Sequence, residues 1–217
     1  MKETKNKLKI LAIAPHADDV EIGMGGSIRK FISEGHDVKI LNLIIPCEDS
    51  DGNSCMDRKE IRRSECIRAT KILGAELDIF DLDPYDFKYS RKYIKIFDQY
   101  IKNFGPDQIY ITWEGDTHQD HQILSKIIYS ATRKNNCSLY MYETMLPGGI
   151  TSNTFHPQCF VNISSTIDFK IKSLESYKSV FSDNNYIDAI VGRSKFRGGQ
   201  IGVSFAESFR IIKQIIY

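Results

Sequence analysis

Residues 8–14 read Leu-Lys-Ile-Leu-Ala-Ile-Ala, and residues 15–21 continue Pro-His-Ala-Asp-Asp-Val-Glu. The first half is short, almost continuously apolar and stopped by Pro15. That is the pattern of a parallel strand buried on both faces. The second half sets an imidazole, His16, and two adjacent carboxylates, Asp18 and Asp19, at the carboxyl end of that strand. A Gly-rich turn (Gly23, Gly25, Gly26) is expected next, then a helix over 27–34 with Gly35 as its C-cap. The run 38–45 predicts a second strand, and the polar stretch 46–56 a loop.

The alternation continues outward. A helix is expected over 57–73, with Ile61, Cys66, Ala69, Ile72 and Leu73 near one face. Strands are expected over 77–82, 108–112 and 139–143, and helices over 91–104 and 119–133. This rhythm predicts an α/β fold, a Rossmann-like, mostly parallel sheet with helices on both faces. From residue 146 the rhythm breaks, with a strand expected at 160–163 and helices at 168–180 and 187–196. There is no repeat, low-complexity tract or flexible linker, so 1–217 is expected to be one domain with a C-terminal elaboration.

Composition narrows the function. With 29 Lys+Arg against 28 Asp+Glu the net charge is +1, which gives no attraction to nucleic acid or an anionic membrane. At 41% hydrophobic and 26% charged residues the chain is ordinary globular material rather than disordered or collagen-like. Five widely spaced cysteines without a Cys-x-x-Cys pair suit reduced thiols, hence a cytoplasmic protein. The charged N-terminus and the short run behind it are neither a signal peptide nor a membrane span.

A second polar cluster, Asp-Thr-His-Gln-Asp-His at 116–121, follows the expected fourth strand. Loops at the carboxyl ends of parallel strands line a common crevice, so the two clusters can meet. Two imidazoles and one carboxylate suffice to hold zinc with its fourth position open, and a leftover carboxylate is then free to take a proton from water. Either cluster alone would read as a solvated loop, or an acidic run at a helix start. Both together, each directly after a strand, argue against that. Of the other histidines, His36 in a helix-to-strand turn reads as surface, and His156 as surface or structural.

The stretch 15–23 resembles the opening signature of the PIG-L/LmbE-like deacetylase family, usually Pro-His-Pro-Asp-Asp followed by Glu. His118-Gln119-Asp120-His121 is similar to its second signature, His-Pro-Asp-His. Residues 62–74, 170–179 and 198–209 resemble later blocks of the family in the same order. The resemblance implies a zinc-dependent hydrolase that removes the acetyl group from an N-acetylated amino sugar. It implies His16, Asp19 and His121 as ligands of Zn2+ or another divalent transition metal, and Asp18 as general base. It further implies His118 as oxyanion stabiliser or acid, Asp120 as a partner orienting an imidazole, and Arg62 as a substrate contact. Ala17 and Gln119 replace the two motif prolines, and residues 46–51 depart from the family's usual turn near the substrate. Relatives of this kind often assemble, so a homo-oligomer is an expectation too.

Other readings are a metal-dependent hydratase of a small acid on the same fold, and a metal-free binding protein. Acetate release separates the first; a binding module has no need of Asp18. A dinucleotide site fails because Ile28 stands where the third glycine of Gly-x-Gly-x-x-Gly belongs, and the adjacent carboxylates would repel pyrophosphate. There is no Gly-x-Ser-x-Gly elbow, and no cysteine adjoins a motif histidine. Trp113 reads as a core residue, with a wall for a sugar ring as the alternative.

Overall fold

The computed structural model describes residues 7–46, 56–144, 154–181 and 184–216. Cys47, Cys55 and the divergent 47–51 portion of the second-strand loop lie outside the described residues. The elements run β1 (Lys9–His16), α1 (Asp19–Ser33), β2 (Asp37–Ile44), α2 (Met56–Leu73), β3 (Glu76–Ile79), α3 (Arg91–Phe104) and β4 (Gln108–Thr112). They continue α4 (Gln119–Thr132), β5 (Ser138–Tyr142), β6 (Cys159–Asn162), α5 (Ile167–Leu174), α6 (Asn184–Gln200) and β7 (Ala206–Lys213). The strands form one sheet in the order β3-β2-β1-β4-β5-β7-β6. The first five are parallel, and β7 pairs antiparallel with both β5 and β6. The expected α/β, mostly parallel sheet is the observed one.

β1 is apolar from Ile10 to Ala14 because it is buried there on both sides. Leu11 and Ile13 belong to a core with Leu41, Ile109, Phe97 and Leu124, beneath α3 and α4. Ile10, Ala12 and Ala14 belong to the opposite core with Ile40, Tyr110, Val20, Met24 and Ile28, beneath α1. The strand therefore shows no polar alternation.

Five sequence readings need correction. The glycine stretch is not a turn: α1 begins at Asp19 and runs through it. Gly23 and Gly26 permit close packing instead, since a Cβ on Gly23 would lie 2.2 Å from the Tyr142 ring and one on Gly26 would lie 2.7 Å from Ile163. Ile61, expected on the buried face of α2, is exposed. The helix expected over 168–180 stops at Leu174, and beyond it the Ser179 backbone N–H and hydroxyl both donate to Glu65 of α2. The strand β7 was not foreseen, although Phe209 and Ile211 alternate on one core face. His36 is not plain surface either: its Nδ1 accepts the Leu8 N–H at 3.2 Å, and its ring packs near Phe31.

α1 is kinked at Met24, where φ is −148° and ψ 22°. The kink frees backbone groups in a buried place, and two late side chains satisfy them. Glu207 of β7 accepts the Gly26 and Ser27 N–H groups at 3.0 and 2.7 Å. Lys170 of α5 donates to the Ile22 carbonyl at 2.8 Å and to Glu207 at 2.5 Å. Both side chains are almost wholly shielded from solvent. No helix among the described residues is long and apolar enough to cross a membrane.

Removing one member of such a pair strands the other charge in the core. Lys170→Met is expected to lower unfolding free energy by about 3–5 kcal/mol, read as a reduced midpoint in urea denaturation at neutral pH.

Candidate active site

β1 lies between β2 and β4, so the chain leaves β1 in one direction toward β3 and in the other toward β5. Loops that leave the sheet at such a reversal part from each other and open a crevice at the carboxyl edge. The loops after β1 and β4 carry the two polar clusters, and parallel pairing of Ala12 with Tyr110 sets them side by side.

Asp18 links β1 to α1 with φ at +118°, a strained conformation costing about 1–3 kcal/mol. Its carbonyl accepts the Ile22 N–H at 2.9 Å, starting the helix, and Arg62 approaches its carboxylate at 3.3 Å. Asp19, the next residue, turns its carboxylate back. Its Oδ2 accepts the His16 backbone N–H at 3.0 Å and lies 3.5 Å from His16 Nδ1 and 3.3 Å from His121 Nε2.

The opposite ring nitrogens are engaged by other carboxylates. His16 Nε2 is 3.0 Å from Asp120, and His121 Nδ1 is 2.7 Å from Asp116. Asp116 is itself held, accepting the His118 N–H at 2.9 Å and the Thr144 hydroxyl. His118 caps α4: its Nδ1 accepts the Asp120 N–H at 3.2 Å, so its neutral ring carries its proton on Nε2. Nitrogens of His16, His118 and His121 all lie within 4.8 Å of one another. The structure thus brings together every site residue singled out in the sequence: His16, Asp18, Asp19, Arg62, His118, Asp120 and His121.

The charges are unevenly shared. Burial would depress His16 and His121, but hydrogen bonds and charge from the surrounding aspartates raise them to about 9 and about 10. Burial works against Asp19 ionising, yet the two imidazoles hold it well below the usual carboxylate range. Burial and the Asp19 charge push Asp18 up to about 7, against the pull of Arg62. Burial and the two neighbouring imidazoles lower His118. Below them, burial pushes Glu21 up to about 8 while Tyr177 donates to it.

This is a cluster whose carboxylates demand positive charge at its centre. The donors fit a divalent transition metal: nitrogens of His16, His118 and His121 gather within 4.8 Å of one another, with the Asp19 carboxylate beside His16 Nδ1 and His121 Nε2. Carboxylates on the far nitrogens are the usual support for metal-bound imidazoles.

Residues 11–132 match the family described as PIG-L, GlcNAc-PI de-N-acetylase. The chain belongs to the PIG-L family. A diacetylchitobiose deacetylase of Thermococcus kodakarensis is 25% identical over 229 residues, covering 95% of this chain and 84% of that protein. The structure of N,N'-diacetylchitobiose deacetylase from Pyrococcus horikoshii superposes with a TM-score of 0.83 at 22% identity, over 96% of this chain and 85% of that one. The 4-carboxy-2-hydroxymuconate hydratase of Pseudomonas putida KT2440 superposes at 0.80 with 17% identity, over 97% and 98% of the two chains. At these identities the superpositions show a shared fold.

The PIG-L site opens into a cavity of about 420 Å³. One role escaped the sequence reading. Asp116 stood inside the quoted cluster without one, although a carboxylate five residues before His121 was the available signal. Trp113 is a core residue packed edge-on against Phe155, and burial pushes the thiol of Cys66 up to about 12, which disables that cysteine as a nucleophile.

If the donor set is as drawn, His16→Ala abolishes stoichiometric zinc binding, and Asp116→Asn and Asp120→Asn each weaken it about 10–100-fold, measured by competition with a chromophoric chelator. Unchanged affinity in all three would refute it.

Proposed function

We propose that this chain is a zinc-dependent amide hydrolase that removes the acetyl group from an N-acetylated amino sugar, releasing acetate and a free amine. The observation that carries the reading is one carboxylate, Asp19, facing two imidazoles while a second, Asp18, stands beside it with a proton affinity near neutrality. Family membership and the deacetylase relative support it. A small glycoside or nucleotide-linked sugar is the substrate class.

A divalent metal held by His16, Asp19 and His121 would polarise the amide carbonyl and acidify water. The protein's own groups do the rest. Burial and the adjacent Asp19 charge hold Asp18 above the usual carboxylate range, toward that of a group that can both take and give a proton at neutral pH. It accepts the proton of the attacking water and then delivers it to the departing nitrogen, which cannot leave as an amide anion. His118, kept neutral by its surroundings, offers its Nε2–H to the carbonyl oxygen as negative charge develops there. Asp120 and Asp116 fix the tilt of His16 and His121. Arg62 holds Asp18 from one side and reaches the cavity wall, where it contacts substrate.

The test is a screen for acetate release over N-acetylated amino sugars, with and without a chelator. Turnover should vanish with the chelator and return with zinc. Asp18→Ala is expected to lose about 10²–10⁴-fold in kcat while keeping a full complement of metal by mass spectrometry. A variant with near-normal kcat would rule out Asp18 as the base, and chelator-insensitive acetate release would rule out the metal. Hydration of an unsaturated acid without acetate release would favour a lyase.

A further inference from the structure

We propose that Phe181 and Tyr186, on the segment between α5 and α6 and the first turns of α6, determine specificity by seating the pyranose ring of an N-acetylated hexosamine. The proposal rests on the reading of the cavity as a deacetylase site and adds the part of the substrate that the imidazole cluster does not address.

The cavity has two unlike linings. The polar one is the cluster of His16, Asp18, His118 and their neighbours, and it is sufficient for an acetamide. The same cavity is lined by apolar groups, Ile22 and Ile44 close to the cluster and Val180, Phe181 and Tyr186 from the segment after α5 and the start of α6. The Phe181 and Tyr186 rings stack with centroids 5.7 Å apart and planes inclined at 27°. Phe181 is 9% exposed and Tyr186 38%, so the first backs the second, and Tyr186 presents the open surface.

The phenol is also within electrostatic reach of the site: burial raises it, and the Asp18 and Asp116 carboxylates add to the rise while Arg193 opposes it. Its ring lines the cavity as an apolar surface that carries a polar hydroxyl at its edge. A pyranose matches that, with C–H bonds on its face and hydroxyls at its rim. Orientation by a few polar groups within an apolar lining is how small-molecule pockets gain specificity.

The Phe181 side of the aromatic pair is tied to the machinery. Ser179 donates its N–H and hydroxyl to the buried Glu65 at 2.9 and 2.5 Å. The Phe181 N–H donates to the Tyr177 carbonyl at 2.9 Å. Glu65 also lies 4.0 Å from Arg62 Nε. The aromatic wall and the residue that holds Asp18 thus share one anchor.

The experiment uses the full chain with two conservative variants, Tyr186→Phe and Phe181→Leu, whose folding is checked by thermal unfolding. Binding of N-acetylglucosamine is measured by ligand-observed NMR. Acetate release is measured from an N-acetylglucosamine glycoside and from N-acetylethanolamine, which has no ring. Each variant is expected to weaken sugar binding and raise KM for the glycoside by about 3–10-fold, the worth of one hydrogen bond or one aromatic contact. Glycoside kcat should stay within about twofold of the unaltered protein, and N-acetylethanolamine turnover should not change. Variants that bind the sugar as well as the unaltered protein, or that lose ringless turnover to the same extent, overturn the proposal. Sugar binding that weakens in both variants of a protein releasing no acetate keeps the proposal and removes the deacetylase reading. Acetate release indifferent to both substitutions does the reverse, and a protein that neither binds nor deacetylates a sugar removes both.

Discussion

The parallel pairing of β1 with β4 is the constraint on which the rest of this molecule depends. Neither polar cluster does anything by itself. His16, Asp18 and Asp19 follow one strand, and Asp116, His118, Asp120 and His121 follow another far along the chain. Only because the two strands are neighbours at the reversal of strand order do the Asp19 carboxylate and His121 Nε2 come within 3.3 Å. Exchange of partners then completes the cluster: Asp120, from the second loop, orients His16 of the first.

Holding this arrangement costs the protein backbone and charge energy, and the surroundings offset it. Asp18 sits at positive φ, and α1 is kinked at Met24, one turn beyond the site. The groups freed at the kink are taken by Glu207 and Lys170, from the last strand and a late helix. The C-terminal elaboration therefore has a physical task, which is to make an irregular α1 tolerable. An ion pair buried this deeply is weak evidence of net stability, but breaking it is costly, which keeps the helix in one arrangement.

The cavity extends the same logic to the substrate. Its chemistry comes from the parallel half of the sheet, and its aromatic lining from the segment after α5 and the start of α6. The aromatic residue next to the second motif, Trp113, is spent on the core instead, packed on Phe155. Glu65 joins the two halves by holding Ser179 while standing beside Arg62.

The sequence by itself determined the α/β architecture, nearly every strand and helix up to residue 142, and the residues that gather at the carboxyl edge. It could do so because those signals are local. A strand buried on both faces must be continuously apolar, helices must be stopped, and titratable groups directly after strand ends have few structural duties. Tertiary structure alone decided the remainder. Tyr142 and Ile163 pack so closely on α1 that only glycine fits at 23 and 26, and past the end of α5 Glu65 takes the Ser179 N–H. His36 is drawn inward by the Leu8 N–H. Asp116 rather than Asp120 supports His121, and Phe181 with Tyr186 rather than Trp113 faces the cavity. Each of these is set by a partner distant in the chain, and a contact of that kind leaves no periodicity or spacing by which it could be read.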